Sequence, residues 1–157
     1  MKKIKVFNVE FDGIDKCGKD SVQKQIHSVA PNKYTTRARG LLSQIAFAKM
    51  FSRDYDYVFT DGYIDNTLFV YLTVDEDDWK VRCDLTHEHE INKGRADVEG
   101  EIKYKPSVEA FDFAFDLVKS KAGAERAGHF MVFNTSKMTP IAVIKAVVQR
   151  LEELNEQ

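Results

Sequence analysis

Gly13 and Gly18 flank four residues and are followed by Lys19 in the stretch FNVEFDGIDKCGKDSV (7–22). That spacing outlines a loop that cradles phosphate. The glycines let backbone N–H groups turn inward, the start of a helix adds partial positive charge, and the lysine places a point charge by the outer phosphates. The bare spacing arises by accident in about one chain of this length in twenty, and the plain alternative is a glycine-rich turn with a surface lysine. Context makes it informative, because the match follows a strand-like run and opens a helical one. The candidate phosphate-binding residues are Gly13, Asp15, Lys16, Cys17, Gly18, Lys19, Asp20 and Ser21. Asp20 stands where such loops usually carry the hydroxyl that binds Mg²⁺. A carboxylate is also a hard-oxygen ligand, although it sets a negative charge beside the phosphates. Ser21 is the adjacent substitute, and Asp20 would then simply suit a first helical turn. Cys17 has as its default role a small residue that fits, and a helix N-terminus and nearby lysines are the groups that could lower its pKa.

A strand must deliver this loop and a helix must leave it. Residues 4–11, IKVFNVEF, are rich in β-branched and aromatic types and read as that strand. From Lys19 onward Val22, Ile26 and Val29 recur at helical spacing until Pro31 ends the run. Further on, 33–37 reads as a short strand, 41–51 as a helix, and YVFT (57–60) and 67–74 as two strands. The run 75–85 opens with acids that suit a helix N-terminus and contains Trp79, read as a packing anchor. Residues 87–105 lack periodicity and read as a connection, and the HEHE at its start lacks the spacing of a zinc site. Ser107 is placed to cap a helix whose Phe111, Phe115 and Val118 share a face. A last strand covers 129–134, and Thr139 with Pro140 opens a closing helix with Ile144, Val147, Leu151 and Leu154 on its apolar side. Strands alternating with helices predict an α/β domain with a mostly parallel sheet. One joint resists, since only GYIDN separates Asp61 from Thr67 and a parallel crossover needs about a dozen residues. Either a local hairpin forms there, or one of the two strands lies outside the parallel sheet.

The totals bound the class. A chain of 157 residues with 43% apolar and 31% charged content is expected to form one globular domain. With 23 basic against 25 acidic residues, the formal charge of −2 indicates no dedicated nucleic-acid or membrane-surface binder. Two cysteines make no disulfide framework and have no metal-ligand spacing, no signal-peptide pattern opens the chain, and no apolar run approaches membrane-spanning length. The expected location is cytoplasmic.

FDGIDKCGKDS (11–21) closely resembles the opening signature of thymidylate kinases: Phe-Glu-Gly, a hydrophobic residue, Asp, two residues, then Gly-Lys and hydroxyl residues. Related deoxynucleoside monophosphate kinases, phage ones among them, can carry Gly-Lys-Asp-Thr there, so the resemblance accommodates Asp20. It places Asp15 at the aspartate that contacts the acceptor's sugar and Asp12 at the family's glutamate. TTRARG (35–40) resembles Thr-Arg-Glu-Pro-Gly-Gly, whose arginine, here Arg37, steadies the acceptor phosphate. VFTDGY (58–63) resembles the strand ending in Asp-Arg-Tyr, with Asp61 in place and Gly62 where the family has an arginine near the transferring phosphoryl group. The run 69–83 resembles the next strand and helix, with Arg82, and 87–105 takes the place of the lid over ATP, with Arg95. The run 132–151 resembles the last strand, an adenine-side loop (Asn134, Thr135, Ser136) and the C-terminal helix.

The resemblance implies a P-loop NTPase-type three-layer sandwich in a single domain, 1–157, that uses ATP and Mg²⁺. The implied reaction moves the γ-phosphoryl of ATP to a deoxynucleoside monophosphate, thymidylate first. Lys19, Arg37, Asp61, Arg82 and Arg95 would be catalytic, Asp12, Asp15 and Arg37 would bind the acceptor, and Asp20 or Ser21 with Asp61 would hold Mg²⁺. Small-molecule nucleotides are the expected partners, with a homodimer left open. Transfer to a nucleoside instead would need a base, for which Glu10 and Asp12 are the candidates. The alternative in a different class keeps the fold as a weakly catalytic or inactive nucleotide-binding or protein-interaction module, which the short chain with its short 61–67 connection, Gly62 and the partial arginine motif at 35–40 favour.

Overall fold

Alternation along NVEFDG sends Val9 and Phe11 to one side of a strand and Glu10 and Asp12 to the other, and all four are fully buried. A strand covered on both faces belongs inside a sheet. In the computed structural model, which describes residues 5–54, 60–92 and 103–156 with backbone alone over 86–92, that is its place. Strand β1 (Asn8–Gly13) lies between β2 (Thr35–Ala38) and β3 (Thr67–Thr73), and β4 (Phe130–Asn134) follows β3 to give the order β2-β1-β3-β4, parallel throughout. Asn8 faces both Thr35 and Thr67, while Gly13 at the other end faces Leu72.

Helices cover both faces, which makes the three-layer α/β architecture expected from the alternation. Helices α1 (Lys19–Val29) and α6 (Pro140–Glu156) pack together, burying Val22 and Ile26 with Val143, Ile144, Val147 and Leu151. On the side of Glu10 and Asp12, α2 (Leu41–Met50) packs against α5 (Tyr104–Ala122). There Tyr71 of β3 lies 6.2 Å from the Phe111 ring and 5.5 Å from that of Phe115. Among the described residues three further elements are short or weakly packed: α3 (Asp61–Asp65), α4 (Glu76–Asn92) and a 3₁₀ turn at Ala124–His129. No helix among the described residues is long and apolar enough to cross a membrane.

Several elements differ from the sequence reading. Of the strand expected from residue 4, that residue lies outside the described residues and 5–7 are not in a strand: β1 starts at Asn8, where the Phe7 and Asn8 amides both donate to the Asn66 carbonyl ahead of β3. Helix α4 runs on to Asn92, into the segment read as a connection, and α5 opens at Tyr104. Ser107 therefore lies inside α5, where its hydroxyl donates back to the Lys103 carbonyl at 2.8 Å instead of capping the helix. Of the strand expected at 57–60, residues 57–59 lie outside the described residues, and Thr60 caps the one-turn helix α3 that fills the short joint before β3.

The buried acids explain how α2 begins. Gly40 at its start offers no side-chain cap, yet the first amides of a helix need acceptors. Glu10 Oε1 accepts from the Leu41 amide at 2.8 Å, and Asp12 Oδ1 accepts from the Ser43 amide at 3.1 Å and the Ser43 hydroxyl at 2.6 Å. Tyr63 Oη, from α3, donates to the other oxygen of Glu10. Gly40 is required here, because a Cβ on it would overlap the Glu10 carboxylate.

Burial pushes Glu10 up from 4.5 to about 7, against the opposing pull of the Leu41 amide, and it pushes Asp12 up as well. A group whose pKa rises on folding stabilises the protein below its unfolded value, and that stability is lost as pH rises through the folded value. The Glu10 contribution, about 3 kcal/mol, should therefore disappear between about pH 4.5 and 7. Urea denaturation at pH 5 and pH 7.5 should show a smaller loss of stability for Glu10→Gln than for the natural protein. An equal loss in both would mean that Glu10 does not titrate in this window.

Candidate functional site

In the order β2-β1-β3-β4 the chain leaves β1 to one side and returns on the other, so the strand order reverses between β1 and β3. The crevice outside the carboxyl ends of strands at such a switch point is where open α/β sheets bind ligands. Residues 14–18 connect β1 to α1 at that place, and the segments after β3 and β4 meet them there.

The loop is held by its carbonyls. Lys19 Nζ donates to the carbonyls of Gly13 at 2.7 Å and Ile14 at 3.0 Å. Trp79 Nε1 donates to Asp15 O at 3.0 Å, Arg82 Nη1 to Lys16 O at 2.8 Å, and Thr135 Oγ1 to Cys17 O at 2.7 Å. Every carbonyl from Gly13 to Cys17 thus accepts from a side chain. In a planar trans peptide the C=O of one residue and the N–H of the next point in opposite directions. Turning the Asp15 and Cys17 carbonyls toward Trp79 and Thr135 therefore turns the Lys16 and Gly18 amides away from them. The first-turn amides of α1 have no partner within the helix, and Gly18 gives no side-chain cap. The arrangement favours an anion in front of the loop.

Local conformations fit this reading. Gly18 has φ of 95°, in the left-handed region that glycine enters without strain. Lys16 adopts φ of 63° despite its side chain. Gly13 cannot be larger, since a Cβ there would overlap the Leu72 carbonyl and lie 2.6 Å from Cys17 Sγ. Beside the loop lies a cleft of about 490 Å³, within the range of small-ligand sites, whose wall includes Lys16, Gly18, Ser21, Arg82 and Thr135. Its apolar part comes from Val22, Leu85, Met138 and Pro140.

The structure gathers Gly13, Asp15, Lys16, Cys17, Gly18, Lys19, Asp20 and Ser21 into one turn, with Asp20 and Ser21 exposed on the first turn of α1. Arg82 and Thr135 join them, and the Arg82 guanidinium also reaches the Thr135 hydroxyl at 3.3 Å. Asn134 and Ser136 bind Asp75, two residues after β3: Asn134 Nδ2 donates to Asp75 Oδ1 at 2.9 Å, and the Asp75 amide donates to Ser136 Oγ at 2.8 Å.

Other expected members are elsewhere. Asp61 precedes β3, next to the Asn8–Thr67 end of the sheet, whereas the loop leaves the Gly13–Leu72 end, about 17 Å away at the rise of a strand. Its side chain is 85% exposed and lies 3.7 Å from Arg126, which also pairs with Asp65 at 2.5 Å. Asp61 is therefore not gathered with Asp20 and Ser21, and the described residues contain no cluster of three or more His, Cys, Asp or Glu side chains suited to a metal. Asp12 is committed to Ser43, with Oδ2 the one atom left without a partner, and Arg37 is exposed on the edge strand opposite Glu10. Arg95 lies outside the described residues, as do the side chains of the HEHE run.

Cys17 takes its default role as a small residue that fits the loop. It is fully buried, its sulfur 3.7 Å from Lys19 Nζ, and burial outweighs the lysine and pushes the thiol up rather than down. Trp79 and Asp75 are the residues that sequence reasoning missed as parts of the site, because a lone tryptophan in an acidic helix carries no signal of what its N–H meets.

No family model matches the chain, and neither a curated protein nor a solved structure matches it.

The thiols provide a direct check on the loop. Cys83 is half buried on α4, whereas Cys17 is enclosed beneath Gly13. Iodoacetamide at pH 8 should modify Cys17 of the folded protein about tenfold more slowly than Cys83, with the difference vanishing in urea. Mass spectrometry showing Cys17 modified first would contradict the enclosed loop.

Proposed function

We propose that the chain is a P-loop kinase-like phosphotransferase that moves the γ-phosphoryl of ATP to a deoxynucleoside monophosphate. The observation that carries this reading is the glycine loop at the switch point, with its carbonyls taken by side chains and helix amides left for an anion. The cleft of about 490 Å³ beside it has room for a nucleotide. Lys19, anchored by the Gly13 and Ile14 carbonyls, fixes a positive charge at the base of the phosphates. Arg82 adds a second cation on the cleft wall, and the Thr135 hydroxyl keeps the loop in place. Asp20 and Ser21, exposed at the mouth of the loop, have the oxygen chemistry to hold Mg²⁺, which would neutralise phosphate charge when bound. Thymidylate is proposed as the acceptor on the resemblance of FDGIDKCGKDS alone. Transfer to a nucleoside gains no support, since Glu10 and Asp12 are fully buried and hydrogen-bonded to α2.

A second reading has its own observation. Asp61 lies at the far end of the sheet and Gly62 stands beside it in place of a cation, so the loop lacks both expected contributions from that segment. The chain would then bind nucleotide, or a partner protein, without transferring phosphate.

ATP consumption with Mg²⁺ and a panel of deoxynucleoside monophosphates separates the two. Turnover with one acceptor should fall by about 100-fold or more in a folded Lys19→Ala variant. Binding of ATP without turnover on any acceptor supports the second reading, and neither binding nor turnover would remove both.

A further inference from the structure

Helix α4 is attached to the body in an unusual way. Among its residues with described side chains, 76–85, none is fully buried, and Val81 and Leu85 are 57% and 62% exposed. An ordinary surface helix buries an apolar stripe. This one docks through polar bonds to the glycine loop: Trp79 Nε1 to Asp15 O at 3.0 Å and Arg82 Nη1 to Lys16 O at 2.8 Å. The Trp79 ring also leans on Tyr104 at 5.6 Å, and Tyr104 Oη donates to the Val74 carbonyl at 2.7 Å.

We propose that Trp79 is a positioning residue of the phosphate site. Its indole N–H holds the Asp15 carbonyl toward α4, so the Lys16 amide of the same peptide stays turned away from α4 and available to the anion. The coupling runs both ways: a ligand that orders the loop orders α4, and displacement of α4 releases the loop. The part of this inference that concerns the anion rests on the phosphate-binding reading of the loop. The part that concerns loop order does not.

Trp79→Phe keeps an aromatic ring at this position and removes the donor together with the second ring of the indole. Hydrogen exchange of the unliganded variant should be about three- to tenfold faster over 13–19, as expected for one lost hydrogen bond, and unchanged in β3. Affinity for inorganic tripolyphosphate, measured by calorimetry, should weaken by a similar factor. A purely structural role would lower Tm and leave loop exchange as it was, and that result overturns the proposal. Should the natural protein take up no tripolyphosphate, the phosphate reading falls while loop exchange still decides the role of Trp79. If the variant does not fold, the natural chain suffices. It contains one tryptophan, so its single indole N–H resonance should shift on adding tripolyphosphate, and a resonance indifferent to saturating ligand overturns the coupling.

Discussion

Two carboxylates enter the interior on one face of β1, and much of the fold answers their need for donors. Ionised oxygens without partners in a low-dielectric interior cost several kcal/mol. Glu10 meets that constraint by accepting from the opening turn of α2 and from Tyr63 of α3, and Asp12 meets it at Oδ1, which accepts twice from Ser43, while Oδ2 is buried without a partner. The same bonds that satisfy the acids cap a helix whose own N-cap position is glycine. They also explain why that residue must be Gly40, since the backbone has to approach the Glu10 carboxylate without a Cβ between them. Strand, helix start and the short α3 are therefore one cooperative unit, and its hydrogen bonding is sensitive to pH through Glu10.

The opposite logic governs the end of β1. There the backbone supplies the acceptors, and donors converge from α1, α4 and the segment after β4. A loop with free carbonyls could turn either its oxygens or its amides toward solvent. Binding each carbonyl from behind leaves one choice, and it is the choice that suits an anion. The donors come from residues up to 118 positions apart in sequence, as between Cys17 and Thr135. The loop consequently holds its shape only when the whole sheet has formed.

That distance separates what the chain reveals locally from what it does not. Helix α1 is legible because Gly18 and Pro31 punctuate a clean period through Val22 and Ile26, and α6 because Thr139 and Pro140 announce it. The glycine loop is legible by spacing. The start of β1 is not legible, since IKVFNVEF has the composition of a strand throughout and the pairing with Asn66 sets where the ladder begins among the described residues. Nothing local in IKVFNVEF shows that Glu10 is one of the most buried side chains. Trp79 and Thr135 act on the loop through tertiary contacts that no local pattern encodes. The fate of Asp61 depends on which end of β3 its segment enters, which is a property of topology.

The location of Asp61 bears on the chemistry. Phosphoryl transfer of the kind proposed depends on positioning and on charge placed where the transition state becomes negative. The positive groups gathered at the loop are Lys16, Lys19 and Arg82, while Asp20 opposes them at the entrance. Asp61 and Gly62 lie toward the other end of the sheet, so in the arrangement described that segment contributes neither a carboxylate nor a cation to the loop. Charge compensation for a transferred group must instead come from the β1–α1 loop and from α4. Among the described side chains of helix α4, Trp79 and Arg82 bind the loop it would serve, and Arg82 also binds Thr135, which couples the cation it carries to the order of the loop. Electrostatic stabilisation and loop order are then a single property of the site, one that polar docking of α4 allows and a deeply packed helix would not.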